Sequence, residues 1–300
     1  MGDSLTRKSG ESIPLSIKIS NYVPYLLLLP TLAYMLFFIG YPLVEGVALA
    51  FFDEQGHFTW ANVNYLLYDP GSLFWDALKY TILLAAVIIP IQVSVAFGLA
   101  LLFNAKFPGK NLALYTVILP LTISDVAAGL IWYVMLGQYG FFNKLLMDLG
   151  VISHPIIFFG IKNMEFLAIV MTEVWRATAI VFVIIFAGLQ MISHEYYEAA
   201  EVFGATTWQR FRYIIFPLLL PSLQAALIIR TLFAFQIFGV VWTLAGRDIP
   251  VLAGEAYYAQ TTLLRPGVAA LYALIIAALS VSVGAIYIKF FKAKYLEAGM

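Results

Sequence analysis

Four ionisable side chains, Asp125, Glu173, Arg176 and Arg230, stand inside long apolar stretches of this sequence. A charge at membrane depth is costly, and such a group is a functional candidate by default. Two readings are open. The four can line a polar path and contact a hydrophilic solute. They can also neutralise one another: Glu173 and Arg176 are three apart on one helix, and Asp125 can pair with Arg230 between helices. Trp132, Trp175 and Gln236 stand in the same stretches and add aromatic faces and an amide, which suit sugar rings and hydroxyls. Aromatic residues make up 16% of the chain, however, so most of them must face lipid or the membrane interface.

A second charged group lies between two apolar stretches, in the run EYYEAAEVFGATTWQRFRYIIFPLLLP at 195–221. It holds Glu195, Glu198, Glu201, Arg210 and Arg212. Local signals predict a helix–turn–helix. Ser193 suits an N-cap, Gly204 a left-handed C-terminal position, and Thr206 with Gln209 a capping box. Pro217 and Pro221 suit the opening of the next span. Glu198 and Glu201 share one face. A rigid, charged loop of this kind reads either as a docking surface for a soluble partner or as a solvated amphipathic loop.

Other chemistries are absent. There is no cysteine, which excludes disulfides, thiolate catalysis and thiolate-bound zinc. His57, His154 and His194 lie far apart with no metal-binding spacing, so no metal site is expected. No Ser–His pair, paired Asp or HExxH stands at membrane depth, so an intramembrane enzyme is not indicated. Gly109-Lys110 is the lone Gly–Lys pair, and Asn104 stands where a phosphate-binding loop needs Gly. Zero net charge gives no case for nucleic acid.

The elements that must position these residues follow from composition. The 300 residues are 62% hydrophobic and 11% charged, with mean hydropathy +0.90. Soluble domains average about 45–50% apolar and about 25% charged. Long continuous apolar runs favour helices over a barrel. The expected fold is an all-α polytopic membrane protein with six transmembrane helices, at about 22–52, 77–103, 112–136, 164–189, 214–244 and 267–291. Tails at 1–20 and 292–300 flank a transmembrane domain at 21–291, and the charged loop occupies 190–213. Ala48-Leu49-Ala50 resembles a signal-peptide cleavage site. The apolar run before it is about twice the 7–15 residues of a signal core, so a retained first helix is expected. Ten Lys and Arg fall on the side of the two tails and the 190–213 loop, and five on the other. The bias places both termini and that loop in the cytoplasm.

Several motifs in order resemble a known family. Glu198-Ala199-Ala200, Gly204, Ile214 and Pro217 match the EAA signature of bacterial and archaeal ABC-importer permeases at the right spacing. Trp175-Arg176-Ala177-Thr178, Ala187-Gly188-Leu189-Gln190, Gly204-Ala205, Trp208-Gln209 and Phe211 look like the carbohydrate-uptake branch. So do Pro120, Trp132, Gly140-Phe141-Phe142-Asn143 and Arg230-Thr231. The resemblance covers roughly residues 25–291. There are departures: Phe216 replaces the usual Leu before the final Pro, and Phe203 the common Asp before Gly204. Ala245-Gly246-Arg247-Asp248 stands where Gly-Gly-Pro is frequent.

The resemblance implies a type I ABC importer (MetI-like) permease fold. It implies that the EAA loop, with Glu195, Glu198, Ala199, Ala200, Gly204, Ala205 and Arg210, docks on a cytoplasmic ATPase, Glu198 meeting a cation there. The chain itself would bind no cofactor, and ATP and Mg would be used by that partner. The implied assembly holds a second permease, giving a heterodimer, two ATP-binding subunits and an extracellular solute-binding protein. That protein would dock on the loops at 53–76, 137–163 and 245–266. The implied location is the cell (inner) membrane, in lipid. A sugar or oligosaccharide is the implied cargo. Glycerol-phosphate or another small solute is the alternative, and a stand-alone secondary transporter a further one, although no inverted repeat is visible.

Overall fold

Proline placement explains much of the helical geometry. The computed structural model describes residues 15–53 and 55–290. The segments 1–14 and 291–300, with the Lys and Arg counted there, lie outside the described residues. The first span is α1 (Leu15–Met35) and α2 (Tyr41–Phe51), joined by a π turn at Leu36–Gly40 just before Pro42. A second π turn, Phe211–Ile215, stands just before Pro217. A proline ring clashes with the carbonyl four residues back, and a wider turn relieves that clash without ending the helix.

After the first span come α3 (Ala61–Tyr68), α4 (Phe74–Asn104), α5 (Lys110–Ile118), α6 (Asp125–Leu136), α7 (Phe141–Asp148) and α8 (Lys162–Gln190). Then follow α9 (His194–Val202), α10 (Thr207–Arg210), α11 (Phe216–Phe235), α12 (Gly239–Leu244), α13 (Leu252–Thr261) and α14 (Pro266–Phe290). Among the described residues the only β contact is an isolated bridge between Phe52 and Phe58. Within the described residues, five helical segments are long and apolar enough to cross a membrane: Tyr25–Phe51, Phe74–Asn104, Lys162–Gln190, Thr207–Phe235 and Pro266–Lys289. A bent pair makes a sixth.

That bent pair corrects the expected third span. Continuous helix over 112–136 does not form. The chain runs through α5 and a 3₁₀ turn at Leu119–Thr122 containing Pro120, and α6 then leaves at 107°. Ser124 starts α6 by accepting a hydrogen bond from Ala127 N–H. The fifth span is also shifted. It begins at Thr207, inside the expected loop, and ends at Phe235 rather than at 244, with α12 a separate short helix. Pro217 and Pro221 therefore lie within a continuing helix instead of opening it. The loops expected at 53–76, 137–163 and 245–266 each carry a helix, α3, α7 and α13.

Small residues bring the spans together, as they must where lipid is as apolar as the side chains. Ala96, Ala100, Ala168 and Ala179 are buried on α4 and α8. Gly188 of α8 lies so close to α11 that a Cβ would overlap Ser222 and Leu219. Gly129 of α6 meets Thr243 and Val240 of α12 in the same way. Phe103, Phe182 and Phe186 pack edge-on and stacked near the loop end. At the opposite end polar staples close the loops. Asn62 donates to the Leu49 and Ala50 carbonyls. Asn143 bonds the Gly137 and Ile156 carbonyls and the Ile156 N–H. Arg247 grips Glu255 through two 2.8 Å bonds, and that carboxylate raises the guanidinium's pKa.

Candidate functional site

Three spans meet at a buried polar centre. From α8 Glu173 accepts from Arg230 of α11 at 2.8 Å, both side chains almost fully buried at 1% and 2% exposure. Gln92 of α4 is fully buried and faces both. Its Oε1 accepts from Arg230 Nε, and its Nε2 donates to the Glu173 carbonyl at 2.7 Å. One helical turn on from Glu173, Arg176 donates to its other carboxylate oxygen at 3.0 Å. Arg176 also reaches Asp125, the first residue of α6, at 2.9 Å. The four charges therefore form one chain, Asp125–Arg176–Glu173–Arg230, with no net charge.

The expected Asp125–Arg230 pair is corrected. Asp125 meets Arg176 and Arg230 meets Glu173, because the bend after Thr122 swings Asp125 onto α8. The expected Glu173–Arg176 pair forms, as one link of three. Gln92 had no signal in sequence, since an amide in an apolar run gives no hint of its partner.

Next to this chain is a cavity of about 300 Å³ lined by Asp125, Glu173, Arg176, Arg230, Gln236 and apolar side chains including Leu121 and Phe233. The joint of the broken third span supplies Leu121 and Asp125, and the link between α11 and α12 supplies Gln236 and Ile237. Interrupted helices are the usual way for non-helical backbone to line a solute path in lipid. Trp132 and Trp175 are not among the lining residues. Their rings pack on each other at 6.0 Å, and Trp132 lies against the cluster formed by α4, α6, α8 and α12.

The charged loop forms the predicted helix–turn–helix. Ser193 accepts from Glu195 N–H, and the Thr206–Gln209 capping box is complete. Gly204 adopts φ +68°. Its N–H bonds the Glu201 carbonyl, and Ala205 N–H bonds that of Ala200, both at 2.9 Å. Nothing lies within 4 Å of a Cβ built on Gly204, so backbone conformation, not crowding, demands glycine. Ala200 is buried under the loop and Ala199 is exposed. Arg210 turns back to Glu201, bracing α9 against α10. Glu195 and Glu198 are exposed and make no ion pair among the described residues. A notch of about 500 Å³ opens beside Ala199, Ala200, Gly204 and Ala205. Val202 and Phe203 are 85% and 88% exposed. Gly188 of α8 brings the two spans that flank the loop into close contact.

Comparison with known proteins places this architecture. The family model for the binding-protein-dependent transport system inner membrane component matches residues 92–292, a range holding Gln92, the charge chain and the loop. The chain is similar to the trehalose/maltose transport system permease protein MalF of Thermococcus litoralis, at 31% identity over 228 residues covering 74% of this chain and 76% of that protein. It is also similar to the sulfoquinovosyl glycerol transport system permease protein SmoG of Agrobacterium fabrum, at 31% over 282 residues and 90% of both. Its fold resembles a chain of the bacterial alginate ABC transporter solved with an alginate pentasaccharide-bound periplasmic protein. The TM-score is 0.79 at 19% identity, covering 94% of this chain and 98% of that one. With its spans, its broken helices and its EAA loop accounted for, this chain belongs to the binding-protein-dependent transport system inner membrane components and is a membrane-embedded permease subunit of an ABC importer.

Proposed function

We propose that this permease carries a neutral sugar or oligosaccharide. The observation that supports this most is the charge balance of the cavity wall. Arg176 and Arg230 are each engaged by a carboxylate, so neither guanidinium stands free to hold a phosphate. An anionic solute would meet Asp125 and Glu173 as well. A neutral polyol meets hydrogen-bonding groups without uncompensated charge. The names of the trehalose/maltose and sulfoquinovosyl glycerol relatives point to glycosides as the cargo class; the first names neutral disaccharides and the second a sulfonate-bearing glycoside, so the neutral assignment rests on the charge balance of the cavity wall.

The loop at 190–213 is proposed to face the cytoplasm and to dock on an ATPase subunit. Glu195 and Glu198 are presented without partners for basic groups there, where such pairs set register more than affinity. A second permease would complete the path, two ATP-binding subunits would drive it, and a solute-binding protein would dock at the opposite end, on α3, α7 and α13.

The test is the assembled complex in lipid vesicles. ATP hydrolysis is expected to rise with a binding protein loaded with a neutral disaccharide such as maltose or trehalose, and to ignore glycerol phosphate. Equal stimulation by the phosphorylated solute would overturn the neutral-sugar assignment.

A further inference from the structure

The charge chain has a dry half and a wet half. Glu173, Arg230 and Gln92 are almost fully buried between α4, α8 and α11, with Glu173 and Arg230 only edging the cavity. The Asp125–Arg176 link differs in exposure, with side chains 46% and 18% exposed. Among the described residues it is also the one ion pair that ties α6 to the α4–α8–α11 core. Asp125 lies at the joint of the two breaks. A Cβ on Gly239, where α12 begins after the second break, would collide with Asp125 Cβ and Val126. Since α6 and α12 also meet at Gly129 and Thr243, the two half-helices beyond the breaks form one packed unit.

We propose that the Asp125–Arg176 ion pair is a latch. Closed, it holds the α6–α12 unit against α8. Open, it lets that unit tilt from the fixed α4–α8–α11 core and admits solute past Gln236. Both partners have somewhere to go when it opens. Asp125 is the first residue of a helix, where a carboxylate is favoured by the exposed N–H groups, and the opened cavity hydrates it. Arg176 keeps Glu173, and its Nε is buried without an acceptor in the closed form, so a rotated guanidinium can gain a bond. The Glu173–Arg230 pair has no such escape. Parting it leaves buried charges uncompensated, which suits an anchor. Arg230 and Gln92 are therefore positioning residues that fix the orientation in which Glu173 presents Arg176 to the latch.

The latch rests on the ATP-driven reading above, and one experiment separates the two. Asp125→Asn keeps the size and the Ser124 cap and removes the charge. In the full complex in vesicles, substrate-free ATP hydrolysis is expected to rise about fivefold, the shift that losing one partly exposed ion pair gives. Stimulation by loaded binding protein shrinks correspondingly. Because the chain has no cysteine, a Gln236→Cys probe reports access on this subunit. A membrane-impermeant thiol reagent should label it faster when Asp125→Asn is added. Unchanged basal hydrolysis with unchanged labelling would overturn the latch. So would loss of the ATPase subunits from the purified Asp125→Asn complex, which would make the pair a structural tie. If the wild-type chain purifies with no ATPase at all, the failure belongs to the underlying reading instead.

Discussion

Arg230 shows how little a residue type says without its surroundings. In sequence it is a cation in an apolar run, compatible with a solute contact. In the fold it is 2% exposed and held on two sides by Glu173 and Gln92. Arg230→Met would fill the space yet strand the Glu173 carboxylate with one fewer partner. Breaking a buried pair by removing one member costs about 3–5 kcal/mol. The expected outcome is a permease that is poorly recovered in detergent and melts earlier, measured by fluorescence-detected size-exclusion after heating. Glu173→Gln with Arg230→Met should recover much of the loss, because both charges are then gone. Melting equal to wild type in the single variant would show that Arg230 is not an anchor. The sequence left two roles open for all four charges, and a bend of 107° decided which of them meet.

At the scale of elements, the EAA loop was the most legible part of the chain. Its caps, its C-terminal glycine and its capping box are local signals within a few residues, and each is present as read. Local hydrogen bonds need no tertiary knowledge. The left-handed φ of Gly204 gives a direct expectation. A β-branched residue there costs about 1–2 kcal/mol of backbone strain or more, spent locally in a loop and not in the spans. Gly204→Val should insert at normal abundance in the membrane and co-purify with much less ATPase. Full ATPase recovery and normal uptake would remove the loop from the docking surface. The span ends were less legible. Pro120 and Pro217 look alike in sequence, but one sits at a break and the other within an unbroken helix. A π turn ahead of Pro217 absorbs the clash, and nothing in the sequence announces that turn.

For the whole molecule, hydropathy and the count of basic residues set the frame. The first span exposes Leu26, Leu27, Leu36 and Phe37 at 62–73%, a surface for lipid or a partner span. The Lys and Arg bias predicts which end faces inward, and single cysteines in this cysteine-free chain test it. An impermeant thiol reagent applied to intact cells should label Ser153→Cys, in the loop after α7, and should reach Lys106→Cys, in the link after α4, only once the membrane is opened. The reverse pattern would place the EAA loop outside and end the ATPase-docking proposal.

Sequence by itself determined the solvent, the span number to within one broken helix, the loop that turns back at Gly204, and the motifs that mark the family. Each depends on composition or on neighbours a few residues apart. Only the tertiary structure decided which charge meets which. The partners Gln92, Asp125, Glu173 and Arg230 come from four different helices, and their meeting depends on close helix approach at small residues and on two breaks placed side by side. Those are properties of packing in three dimensions, where small residues at a single crossing set the distance and one bend sets the direction.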